Sequence, residues 1–265
     1  MRFLRAGFFL ALKDSFKIPI QGKIMKKLTL ILAVIIAMTQ TLFASYEDAL
    51  KLFEEKKYTE SLKILGDELV VANDLVEGSA NYKIRFLAAH NHWKLGNEKS
   101  VVSHFKRCMD IRKTSVDPYI DLALYQSEIG RLTDAEITVR KGLNVEKSAM
   151  LYYILGKVSL KRKNFWRAKE LFEKANSIDP EMYISYHDLG IALMGLKKYG
   201  DANTAFSVAL AIQPGSPVVL NNIGLSLERL GKYKESYSYF KKANSIDMEN
   251  KVILGNMLRI KEKIK

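Results

Sequence analysis

A 34-residue period in the second half of the chain constrains the fold more than any other feature. Tyr152-Tyr153-Ile154-Leu155-Gly156, Tyr186-His187-Asp188-Leu189-Gly190 and Leu220-Asn221-Asn222-Ile223-Gly224 follow one another at that spacing. Twelve residues after each glycine stands Ala168, Ala202 or Ser236. Phe172, Phe206 and Phe240 come four later, and Ala175, Ala209 and Ala243 three beyond those. Pro180 and Pro214 close the first two units, with Met248 in that place in the third. A unit this short cannot bury its apolar face alone, so neighbouring units must stack to form a continuous core.

The large and small residues read as helix packing. The glycines fall where two antiparallel helices approach most closely, and Ala168, Ala202, Ala175, Ala209 and Ala243 make room from the second helix. The aromatic residues are expected to fill the space between successive units. Proline ends the second helix because it lacks an N–H and clashes with the preceding turn. In period and pattern the chain resembles the tetratricopeptide repeat family. That resemblance implies an all-α fold: a right-handed superhelical solenoid of antiparallel helix pairs with a C-terminal capping helix.

Earlier units match less closely. Leu95-Gly96 and Phe105 mark one starting near Tyr82, with Cys108 in a small-residue slot. Tyr119, Leu122-Ala123, Gly130 and Ala135 mark the next, from near Val116. A degenerate first unit runs from Ser45 to about Asn81, with Ala49, Leu52, Tyr58, Ser61 and Leu65 in register. The expectation is six repeats over 45–250 and a capping helix over 251–265, with Leu254, Met257 and Leu258 on one face.

The first 44 residues read differently. Met25-Lys26-Lys27, an apolar run from Leu28 to Met38 and the small Ala44 match a secretory signal peptide over 25–44, cleaved after Ala44. The run is shorter than the roughly 20 residues of a bilayer span. Residues 1–24 leave two readings open: Met25 is the true start, or the whole segment is an uncleaved membrane anchor. Either places the body outside the cytoplasm, periplasmic or anchored facing the periplasm, because the lysines stay inside. Seven of the 42 basic residues and one of the 29 acidic residues lie in 1–44, which leaves the body at +7 of the total +13. Both signs are mixed along it, unlike the single-sign stripe of a nucleic-acid surface. The single cysteine excludes an intrachain disulfide framework.

No catalytic constellation stands out, so neither an enzyme nor a cofactor is expected. Gly190 to Gly195 with Leu196-Lys197 lacks the tail of a phosphate loop and lies within a helix. His90, His92, His104 and Cys108 share one unit, and zinc accepts such ligands. His90 and His92, however, point to nearly opposite sides of a helix, and Cys108 sits in a core slot as a small hydrophobe.

The working surface is the groove. In the tetratricopeptide fold the first helix of each pair lines the concave face. Carrying the register over places Phe86, His90, Trp93, Ile120, Leu124, Tyr153, Lys157, Leu160, Ile184, His187, Ile191, Met194, Asn221, Leu225 and Glu228 there. Members that grip a chain-terminal carboxylate need Lys and Asn along this strip, where this chain has Phe86, Ile120, Leu124, Ile191 and Leu225. The apolar, aromatic lining suits an amphipathic helix or an extended apolar segment, with Phe86, Trp93 and Tyr153 as anchors. The expected function is a non-catalytic adaptor of the bacterial envelope that binds a protein or peptide partner. A self-associating structural component is the alternative. Basic hairpin tips, Lys161-Arg162-Lys163 and Lys197-Lys198 among them, read as solvated turns with a weak attraction to anionic envelope surfaces.

Overall fold

The computed structural model describes residues 45–75 and 79–264, with the side chains of 67–80 left aside. The leader segments 1–24 and 25–44 lie outside the described residues. Among the described residues there are thirteen helices and no strand. They are α1 (45–54), α2 (Tyr58–Leu75), α3 (Ser79–Lys94), α4 (Glu98–Ile111), α5 (Asp117–Glu128), α6 (Leu132–Val145) and α7 (Ala149–Lys161). Then come α8 (Phe165–Ile178), α9 (Tyr183–Gly195), α10 (Tyr199–Ile212), α11 (Pro217–Arg229), α12 (Tyr233–Ile246) and α13 (Lys251–Lys263).

The chain divides into two compact units, one ending at Ile84 and one covering Arg85–Lys265. In the first, Ala49 and Leu65 are buried, and Ser61 donates its hydroxyl to the Ala49 carbonyl at 2.8 Å. The same bond, across the same twelve residues, joins Ser236 to the Gly224 carbonyl at 2.7 Å. A serine in the small-residue slot thus satisfies its polar atom on the facing helix, which a buried hydroxyl requires.

In the second unit consecutive helices pack as pairs, α5 with α6, α7 with α8, α9 with α10 and α11 with α12. Each pair then stacks on the next through its second helix. Short turns between packed helices make the pairs antiparallel. The core runs through the pairs without interruption, from Ala123 and Val139 to Ile223 and Leu227. Pro118 and Pro217 begin α5 and α11, where a missing N–H costs nothing. Asn164, Ser216 and Asn250 accept hydrogen bonds from the first turns of α8, α11 and α13. Helices α8 and α10 end at Ile178 and Ile212, two residues before Pro180 and Pro214.

Two sequence expectations change here. The rings of Phe172, Phe206 and Phe240 were expected between successive units. Each instead lies on the glycine of its own pair, so closely that a Cβ on Gly156, Gly190 or Gly224 would meet it at 2.6, 2.4 or 2.7 Å. The apolar face of α13 was expected to be Leu254, Met257 and Leu258. Ile253 and Ile260 are the buried residues, while Leu254 and Leu258 are 36% and 49% exposed. Counted in the 34-residue register, Leu254 and Leu258 stand where Leu220 and Gly224 face α12.

Three lysines, Lys56, Lys163 and Lys197, adopt left-handed backbone with φ near +60°, at turns where Gly96, Gly130 and Gly231 serve elsewhere. A Cβ disfavours that region by about 1–2 kcal/mol. Lys197→Gly is therefore expected to stabilise the fold by about 0.5–1 kcal/mol once glycine's greater unfolded-state entropy is subtracted. Thermal melting checks this, and a lower Tm would show that Lys197 makes a compensating contact.

Candidate functional site

The predicted wall residues separate into three groups. Phe86, His90 and Trp93 gather at the start of the second unit. There Phe86 meets Phe105 edge-on at 5.6 Å, and His90 stacks on Trp93 at 5.9 Å. His90 shares its ring with the Phe86 carbonyl at 2.8 Å and the Asp121 carboxylate at 3.2 Å. Burial opposes a charge on this imidazole. Asp121 and the carbonyl outweigh it and raise the pKa above the ordinary value. Trp93 donates its indole N–H to Glu128 at 3.1 Å. Ile120, half-buried, packs with Leu124 against the main core.

The second group forms a cleft of about 490 Å³ between α7, α9 and the start of α11. Tyr153, Lys157, Leu160, Ile184 and His187 all line it, so the structure brings these five wall residues together. Lys161, Tyr183, Asp188, Ser216, Val218 and Val219 complete it and were not in that set. Val218 is 52% exposed. It occupies the register slot of Ile184 in the next repeat, so the 34-residue spacing alone could have found it.

Tyr153 plays a different part from the expected projecting anchor. Its side chain is only 7% exposed, with the ring on Phe172 at 5.8 Å and the hydroxyl donating to Asp188 at 3.0 Å. Burial and the adjacent Asp188 carboxylate push its pKa well above the usual phenol range. Lys157 holds its ammonium 5.5 Å from the Tyr153 ring centre, a cation–π contact. Asp188 also accepts from His187 Nδ1 at 3.0 Å, and His187 Nε2 meets the Asn222 amide at 3.0 Å. With Nδ1 donating to Asp188, Nε2 can accept from that amide.

Asn221 belongs to the third group. It is nearly buried, and its Oδ1 accepts from Asn256 at 2.9 Å. Further along, Glu228 pairs with Arg259 and, at 3.1 Å, with Lys263. These rungs mostly span 35 residues, as at Trp93–Glu128, Tyr153–Asp188, His187–Asn222, Asn221–Asn256 and Glu228–Lys263. One repeat plus one residue places side chains of successive first helices opposite each other. Many polar groups of the wall are thus spent on its own cohesion, and the apolar Leu160, Ile184 and Val218 line the cleft beside them.

Among the described residues no three of His, Cys, Asp and Glu are grouped to hold a metal ion. His92 and His104 stack at 5.4 Å. Burial, with the neighbouring His92 and Arg85, pushes His104 down to about 4, and burial pushes the Cys108 thiol up to about 12. A thiol so raised is poorly nucleophilic at neutral pH.

A family model described as tetratricopeptide repeat matches residues 150–182 and 218–250. Those two matches lie two 34-residue periods apart. The segment between them keeps the same register through Gly190, Ala202, Phe206, Ala209 and Pro214. No curated protein matches the chain by sequence. Among solved structures, one similar fold is PilW, a widely conserved type IV pilus biogenesis factor. It has 14% identity and a TM-score of 0.68 over 83% of this chain and 98% of that one. MamA from Desulfovibrio magneticus RS-1 has 19% identity and a TM-score of 0.58 over 66% and 99%. YrrB, a tetratricopeptide repeat protein with an unusual peptide-binding site, has 13% identity and a TM-score of 0.56 over 72% and 96%. At these identities the likeness is one of fold: helices packed in adjacent pairs, as in tetratricopeptide solenoids.

Proposed function

We propose that the chain is a non-catalytic interaction scaffold that holds a peptide or helix of a partner protein in the α7–α9–α11 cleft. The observation that carries this reading is the partly exposed apolar floor of that cleft, with Leu160 and Ile184 half-buried and Val218 exposed. Leu160, Ile184 and Val218 line an open volume of about 490 Å³, beside Tyr153, Asp188, His187 and Asn222, which are bonded to one another. A cleft with aliphatic positions open beside internally bonded polar groups favours apolar side chains of an extended or helical guest. The tetratricopeptide matches and the peptide-binding site of YrrB support the same class of activity. An envelope setting follows from the leader reading of residues 25–44 and is part of the proposal.

Val218→Arg and Lys157→Glu test it, because both side chains line the cleft and neither is a core residue. Peptides selected from a displayed random library on the wild-type chain should bind Val218→Arg at least about tenfold more weakly, the loss typical of a central contact. Unchanged far-ultraviolet dichroism would show that the fold persists. Equal affinity for both proteins would sink the cleft assignment. Light scattering addresses self-association, since a monomer at micromolar concentration argues against a purely structural array.

A further inference from the structure

We infer that the edge formed by the turns before α8 and α10 is a docking surface for an anionic lipid bilayer, with Trp166 as its interfacial side chain. Trp166 is 58% exposed, and Lys198 from the next turn sits 4.9 Å from its ring centre. Lys163 lies three residues before Trp166, and Lys197 beside Lys198. Both are exposed, and among the described residues neither enters an ion pair, whereas Arg162 in the same turn is held by Glu136. The following turn extends the edge with Leu230, Tyr233 and Lys234, all exposed.

Three features separate this edge from ordinary solvated turns. A tryptophan this exposed is uncommon on a water-facing surface, and its amphipathic ring suits the headgroup layer of a membrane. The lysines around it supply the attraction that anionic leaflets exert on basic segments. Lys163 and Lys197 also hold left-handed backbone at a position that glycine fills in neighbouring turns, so charge is placed there against local conformational preference. These turns lie outside the α7–α9–α11 cleft, and contact with a lipid surface needs no groove. Glu170, one turn after Trp166, and Asp201 and Glu235 are exposed acids near this edge, and Lys163, Lys197, Lys198, Lys232 and Lys234 outnumber them. The inference stands apart from the cleft, which is lined by other residues.

The chain has two tryptophans, so Trp93→Phe leaves Trp166 as the sole indole reporter in the full chain. With vesicles of phosphatidylcholine and about one third phosphatidylglycerol, Trp166 emission should shift to the blue, and salt at about 0.5 M should reverse it. Pure phosphatidylcholine should leave the emission unmoved. Lys163→Gly with Lys197→Gly removes two charges while relieving the backbone, so the protein stays folded and vesicle affinity should fall about tenfold. Trp166→Ala should weaken binding comparably. Vesicle binding without a blue shift would place the contact elsewhere in the chain, for example in residues 1–44, and overturn the inference. Binding indifferent to the glycine pair and to Trp166→Ala would do the same, as would no binding at all. A blue shift with polyglutamate and none with vesicles would assign the edge to an acidic polypeptide instead, which also overturns it.

Discussion

Gly190→Ala is expected to destabilise the repeat array by about 2–3 kcal/mol, the range for overpacking a well-filled core. The added methyl would sit 2.4–2.7 Å from three atoms of the Phe206 ring. That ring is 1% exposed and rigid, so it has no space into which to swing. Either the pair α9–α10 opens or the ring leaves its rotamer, and both disturb the stacking on α8 and α11. In an array stabilised by nearest-neighbour interfaces the damage spreads to those contacts first. The melting midpoint should fall by about 5–10 °C for a domain of this size. Phe206→Leu in the same chain should recover part of the loss, because the smaller side chain vacates the space the methyl needs. Gly200→Ala supplies the contrast. A Cβ there meets nothing within 4 Å, and alanine in an exposed helix gains about 0.5–1 kcal/mol over glycine. Equal effects at the two glycines would show that packing against Phe206 is not what the repeat glycine is for.

That pairing of glycine and phenylalanine explains why the fold was legible. Bulk at one position and absence of bulk sixteen residues earlier are visible in a string of letters, and they recur in three consecutive units. The groove was legible only as a face. Register puts Tyr153, Lys157 and His187 on the inner wall, but whether a wall residue projects or bonds its neighbour depends on what stands 35 residues on. Tyr153 meets Asp188 and is spent there. Val218 meets no such partner and remains open. The cap shows the same limit. Periodicity identifies α13 as amphipathic, yet Ile253 and Ile260 are the residues that continue the buried register of Val219 and Ser226, and Leu254 and Leu258 belong to a face that nothing among the described residues covers. The first unit, found in register although degenerate, has the Ser61–Ala49 hydrogen bond, a physical signature that survives when the large residues drift.

The second large effect is acid-dependent and comes from Glu136 on α6. Its carboxylate takes Arg140 at 2.9 Å and Arg167 at 2.6 Å and also pairs with Arg162, so one acid ties α6 to α8 and to the turn preceding it. The bond to Arg140 leads in holding its pKa down to about 2. Desolvation opposes the shift, while Arg167 and Arg162 add to it. A carboxyl whose folded pKa is depressed contributes stability that is complete above its unfolded pKa near 4.5 and is lost as pH falls toward 2. The full shift would correspond to about 3 kcal/mol. Arg140 is mostly exposed and the other two guanidinia about one third exposed, so solvent screening reduces this to about 1–2 kcal/mol. Glu136→Gln should therefore lower stability by that amount at pH 7, and urea midpoints should show it. The sign test lies in the acid limb. As pH falls from about 4.5 to 2 the wild-type midpoint should descend toward that of Glu136→Gln. Curves that stay parallel down to pH 2 would mean that the glutamine acts through packing, and that the charge on Glu136 does not join these two repeats.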